Sequence, residues 1–202
     1  MEDVRNQSIS KEEINTFPIE KYDGPVHIIE KNQDLALAIS SISQFPYIGF
    51  DTESKPSFKK KSKKNPIALV QLATPKEVYL IRTIKLGFPQ VLLQLLSSPS
   101  TLKVGIAIHD DLKDLLQWAK FIPHGFLDIS QLAKELKFKN LGLRSLAALL
   151  FKVRISKGAK LTNWELAKLS ESQVNYASTD AWMSLKVYQE LTKLKESKTS
   201  SI

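Results

Sequence analysis

The sequence contains no cysteine, which excludes disulfides, thiolate zinc centres and cysteine nucleophiles. Histidine is scarce: His27, His109 and His124 are the only three, which argues against a histidine-built zinc centre. A metal centre here would therefore use oxygen ligands, and carboxylates suit a hard divalent cation. No apolar run approaches the roughly 18–20 residues of a bilayer span, so no membrane association is expected. The N-terminus, MEDVRNQSISKEEI, lacks the apolar stretch of a secretory signal, and the expected location is intracellular, in the cytoplasm. Acidic residues are outnumbered, 21 against 29 basic, leaving a net charge of +8. That balance favours a polyanionic partner such as nucleic acid, although basicity alone does not identify one.

What is present fits an ordinary globular domain. The chain has 202 residues, 43% apolar and 25% charged, enough for one domain with a substantial core. Residues 1–24 are polar and without sustained period, and predict an extended or partly ordered arm. Short apolar runs predict strands at Val26–Ile29, Tyr47–Asp51, Ile67–Ala73, Val78–Ile81 and Leu102–Ile108. Helical spacing marks Asp34–Ser43, Gln90–Leu96, Asp111–Trp118, Ile129–Leu136 and Leu143–Phe151. A last helix opens at Ser170 with Gln173 three residues on, the pattern of a capping box. Its apolar stripe is Val174, Ala177, Ala181, Leu185 and Tyr188. Strands with interleaved helices predict an α/β domain around a mixed sheet, over residues 25–192. The end, KLKESKTSSI (193–202), reads as a frayed tail.

Three places carry chemistry. In Phe50-Asp51-Thr52-Glu53 the two carboxylates lie two apart on a strand, so they share a face. Such close like charges repel unless a cation or protons intervene, or unless solvent screens them. In Gly105-Ile-Ala-Ile-His-Asp-Asp-Leu112 an apolar run stops at two acids where a helix begins. Asp110 or Asp111 serves there either as a helix-start residue or as a ligand, and His109 reads as a polar surface or supporting residue. In Tyr176-Ala-Ser-Thr-Asp180 the phenol and carboxylate lie four apart on one helix face. Asp180 sits beside the buried stripe, where an unpaired carboxylate is costly.

The order and context of these motifs resemble the tyrosine (DEDDy) branch of the DnaQ-like 3′→5′ exonucleases, and within it the ribonuclease D and Werner-syndrome exonuclease group. The resemblance covers residues 25–192. It is carried by Phe50–Glu53 with Ala68-Leu-Val-Gln-Leu72, by Gly105–Leu112, and by Asn163-Trp164, Leu169–Gln173 and Tyr176–Ala181. The segment Lys55-Pro-Ser-Phe-Lys-Lys60 is similar to compact bacterial single-domain members. The resemblance implies a ribonuclease H-like fold, a mixed β-sheet flanked by α-helices. It also implies two divalent cations, Mg²⁺ or Mn²⁺, and single-stranded 3′ ends as substrate. Asp51 would bridge both ions, Glu53 and Asp180 would hold the nucleophile-side ion, Asp111 the other, and Tyr176 would orient the attacking water. Between the two adjacent acids the family alignment favours Asp111. The usual ribonuclease D carries further C-terminal helical domains, and a chain ending near residue 202 tilts the expected substrate toward DNA, with RNA trimming or an inactive binding module as alternatives.

Basic and aromatic residues suggest where a strand would run. Lys59, Lys60, Lys61, Lys63 and Lys64 crowd into six positions just after the first motif, either as a solvated loop or as phosphate contacts. A second stretch, Arg144, Lys152, Arg154, Lys157 and Lys160, either lines the strand path or faces solvent. Phe58 and Trp164 are candidates for stacking on bases, with Trp164 also suited to packing in its Asn-Trp pair. Trp118 and Trp182 are expected in the core.

Overall fold

In a computed structural model describing residues 7–57 and 64–199, a six-stranded mixed sheet is flanked by helices on both faces. Its strands are β1 (Val26–Ile29), β2 (Tyr47–Ser54), β3 (Ile67–Ala73), β4 (Val78–Ile81), β5 (Leu102–Gly105) and β6 (Phe126–Asp128), in the order β1-β4-β3-β2-β5-β6. The pairs β2–β3 and β3–β4 are antiparallel, while β1–β4, β2–β5 and β5–β6 are parallel. β3 lies between two neighbours and is buried along its whole length, which is why its sequence is a continuous apolar run rather than an alternating one.

Alternation along β2 sorts its residues between the two layers. Ile48 and Phe50 join a core with residues of α2 (Asn32–Ile42), α4 (Gln90–Leu96) and α5 (Ile108–Trp118). Gly49, Asp51 and Glu53 face the opposite layer, where α8 (Glu171–Thr199) crosses the sheet. Two shorter helices, α6 (Ile129–Glu135) and α7 (Leu143–Phe151), pack beside α8 around Leu146, Leu185 and Leu191. The expected capping box is present at the start of α8: Ser170 Oγ accepts from Gln173 N at 3.2 Å, and Gln173 Oε1 accepts from Ser170 N at 3.0 Å.

Gly49 determines how closely α8 can approach. A Cβ at this position would collide with the carbonyl oxygen of Ala181, next in sequence to Asp180. Gly49→Ala is therefore expected to destabilise the fold by about 1–3 kcal/mol through overpacking. At about 2–4 °C per kcal/mol for a chain this size, thermal unfolding would report a clear drop in midpoint. An unchanged midpoint would mean that α8 is free to move off the sheet.

Several boundaries differ from the sequence reading. The arm expected to be extended or partly ordered contains α1 (Lys11–Thr16), capped by Ser10 and Glu13, with Ile14 buried. Six residues are too few for amphipathic periodicity to register, so packing rather than pattern holds this turn. β5 stops at Gly105 instead of running to Ile108, because Ala107 adopts a left-handed conformation (φ 59°) and α5 starts next to it. β6 and the four-residue α3 (Thr83–Leu86) are too short to stand out in the sequence. The tail is not frayed from residue 193, since α8 continues to Thr199. Trp118 is exposed (38%) rather than core, and Trp182 is half-buried. Among the described residues no helix is long and apolar enough to cross a membrane.

Candidate active site

At the C-terminal end of β2 the two layers meet over a cavity of about 440 Å³. All five residues singled out for chemistry line it: Asp51, Glu53, Asp111, Tyr176 and Asp180. They come from β2, α5 and α8, segments more than fifty residues apart in the chain. Asp110 also touches the cavity, but it is exposed, whereas Asp111 is half-buried. Asp111 Oδ1 accepts a 2.5 Å hydrogen bond from Thr52 Oγ1. Thr52 points to the α5 side of the sheet while Asp51 and Glu53 point to the α8 side, so β2 places a group in each layer. The sequence reading did not single out Thr52; the only hint of it was its place between the two acids.

Burial raises the proton affinity of all four carboxyl groups around this cavity, and neighbouring acidic charges add to it at Asp51, Glu53 and Asp111. Burial, then the nearby Asp180 charge, pushes the Asp51 carboxyl up to about 8. Burial, then Asp51 and Asp180, takes Glu53 to about 9. Asp111 rises to about 8 through burial and the Asp51 charge, against the Thr52 hydrogen bond. Asp180 reaches only about 6, because burial is opposed by a hydrogen bond from Tyr176 and by the Lys160 and Arg144 charges. Tyr176 is pushed far above the ordinary phenol range by burial and by the Asp180 and Glu53 charges. It therefore stays protonated and donates to Asp180.

This donor set fits divalent cations. Oxygen-rich sites suit Mg²⁺ and Mn²⁺, and cations would relieve the repulsion that otherwise holds protons on these acids. Among the described residues no three such groups are already gathered to hold one ion.

Part of the cavity wall is basic. Arg144 and Lys160 line it, as does Lys157. Arg144 is braced by donating from Nε to Ile155 O at 3.1 Å. Lys64 lies outside the cavity lining and pairs with Asp114 at 2.6 Å. Phe58, Lys59, Lys60, Lys61 and Lys63 lie outside the described residues. Trp164 is fully buried against Tyr176, with ring centroids 6.1 Å apart. It therefore cannot stack on a base, and it packs beneath the site instead. Gln71, directly across from Asp51 in the β2–β3 register, is fully buried with no partner for either amide atom. It was quoted in the sequence only as part of a motif, because nothing in a linear pattern shows that an amide will be left unpaired.

The similarity to known proteins follows the same lines. The human exonuclease 3′-5′ domain-containing protein 2 is 32% identical over 174 residues, covering 80% of this chain and 28% of that protein. Ribonuclease D of Haemophilus influenzae is 30% identical over 179 residues, covering 87% of this chain and 44% of that one. Among solved structures, Escherichia coli ribonuclease D superimposes with a TM-score of 0.72 at 25% identity, over 85% of this chain and 45% of that chain. The shared architecture is ribonuclease H-like, and the chain spans less than half the length of these relatives. A sequence profile described as 3′-5′ exonuclease matches residues 26–196, so the chain that builds this carboxylate-lined cavity belongs to the 3′→5′ exonuclease family.

Proposed function

We propose that the protein removes nucleotides one at a time from the 3′ end of a nucleic-acid strand, using two divalent cations, Mg²⁺ or Mn²⁺. The observation that carries this reading is the convergence of Asp51, Glu53, Asp111, Asp180 and Tyr176 on one cavity. When bound, a pair of such ions stabilises both the attacking and the leaving oxygen of an in-line displacement and makes hydroxide accessible near neutral pH. Asp51 would serve both ions, Glu53 and Asp180 would hold the nucleophile-side one, and Asp111 would hold the other. Tyr176, held protonated, orients the attacking water and does not serve as its base. The water oxygen bonds to phosphorus, the bond to the upstream 3′-oxygen breaks, and that oxygen takes a proton. A nucleoside 5′-monophosphate leaves, and the strand is one unit shorter. Arg144 and Lys160 face the strand's phosphates, and cytoplasmic single-stranded ends are the proposed substrate.

DNA is the favoured strand, and the relatives named ribonuclease D support RNA as the second reading. The test is a 5′-labelled oligonucleotide, in matched DNA and RNA forms, incubated with Mg²⁺ or Mn²⁺. A ladder shortening from the 3′ end, abolished by EDTA, is the expected result. Internal cuts, or a ladder indifferent to EDTA, would refute the proposal.

A further inference from the structure

The segment before β1 is bound tightly to the catalytic layer. Its amide at Ile9 donates to Asn140 Oδ1 at 2.9 Å, and Ile14 is buried. Arg154 N donates to Pro18 O and Glu20 N to Arg154 O, both at 2.9 Å, forming a short parallel bridge. Arg154 Nε donates to Phe17 O at 2.9 Å. Tyr22 N donates to Thr179 Oγ1 at 3.0 Å, and Glu20 pairs with Lys186 of α8 at 2.7 Å. This strap thus rests against α7 and α8, which carry Arg144, Tyr176 and Asp180.

Its position brings a further cation to the basic wall. Asn15 Oδ1 accepts from Arg144 Nη2 at 3.4 Å, and Arg144 lines the cavity. Lys11 lies four residues before Asn15 in α1, on the same helix face, and is exposed. Lys157 is a neighbour of Arg144, Lys160 and Lys11, whose charges, after burial, push its ammonium below the ordinary lysine range. Among the described residues, Lys11, Lys157 and Lys160 form no ion pair with a carboxylate. The Asp180 carboxylate offsets part of this crowding of cations, and a polyanion would neutralise the rest.

Room for a strand continues along the strap. Ile19, Glu20 and Lys21 line a second cavity of about 430 Å³, which shares Ser156 and Tyr176 with the first. Ile19 presents an apolar side chain 57% exposed beside it.

We propose that this strap is a wall of the substrate site and that Lys11 binds a backbone phosphate upstream of the nucleotide being released. This rests on the nuclease reading for the direction of the strand, but its binding test does not need cleavage. Binding of a 5′-fluorescent single-stranded ten-mer is followed by anisotropy in EDTA across a salt series, for the full chain and its Lys11 variants. Lys11→Ala is expected to reduce the slope of log affinity against log salt by about 0.7, the share of one phosphate contact on a single strand. Lys11→Glu weakens binding about tenfold at low salt, and Lys11→Arg restores the original affinity and slope. All three should melt with the parent protein, since the side chain is exposed. Binding by Lys11→Glu indistinguishable from the parent in affinity and slope overturns the proposal, as does a parent protein that binds no oligonucleotide. A reduced slope in a protein that never cleaves would support the strap while refuting the nuclease reading.

Discussion

Asp51→Asn is expected to lower the rate of nucleotide release by on the order of a thousandfold, the equivalent of losing several kcal/mol of metal-borne charge stabilisation at about 1.4 kcal/mol per tenfold. The Asp51 charge raises the proton affinity of both Glu53 and Asp111. Asparagine has the same shape and can still accept the 2.9 Å hydrogen bond from Thr52 N, so the site should keep its form. A second readout separates loss of metal binding from loss of fold. In the metal-free protein the folded carboxyl groups of Asp51, Glu53 and Asp111 titrate near 8, 9 and 8, far above the ordinary carboxylate range. Between about pH 4 and pH 9 these three groups therefore hold more protons in the folded chain than in the unfolded one, and the stability they contribute falls as pH rises. Removing Asp51 removes one such group and relaxes its neighbours. In EDTA at pH 8 Asp51→Asn should thus melt a few degrees above the parent, at about 2–4 °C per kcal/mol. Adding Mg²⁺ or Mn²⁺ should raise the parent's melting point and hardly move the variant's, with the metal effect growing from pH 6 to pH 9. A variant that melts lower in EDTA and still degrades oligonucleotides would remove Asp51 from the metal site.

Asp111→Asn should likewise abolish cleavage, whereas the same change at Asp110 should stay within about twofold of the parent, the range of an exposed substitution. The two acids are adjacent, yet α5 separates their surroundings: Asp111 is half-buried and bonded to Thr52, and Asp110 is exposed. Rates for the two variants with Mn²⁺, each checked for cooperative unfolding, decide between them. A dead Asp110→Asn with an active Asp111→Asn would reverse the assignment.

The acids themselves were legible because their local spacing carries meaning. Asp51 and Glu53 alternate on a strand, and Tyr176 and Asp180 share a helix face, so each pair could be read without knowing the fold. The capping box at Ser170 and the strands Val26–Ile29, Ile67–Ala73 and Val78–Ile81 could be read for the same reason. The choice of Asp111 over Asp110 came from family resemblance; the structure shows that the two differ in surroundings, Asp111 being half-buried and bonded to Thr52 and Asp110 exposed. Trp164 admitted two readings in the sequence, and only its complete burial removes the stacking one.

The sequence by itself narrowed the chemistry open to a metal site: without cysteine and with three histidines, carboxylates are its natural ligands. It also determined the elements that carry them, since periodicity and capping act over a few residues. Tertiary structure alone decided how closely α8 lies on Gly49, which acid of α5 turns toward β2, and that a short N-terminal helix brings Lys11 to the basic wall. Those outcomes depend on packing between residues far apart in the chain, and burial, charge repulsion and steric exclusion act through space with no trace in local spacing.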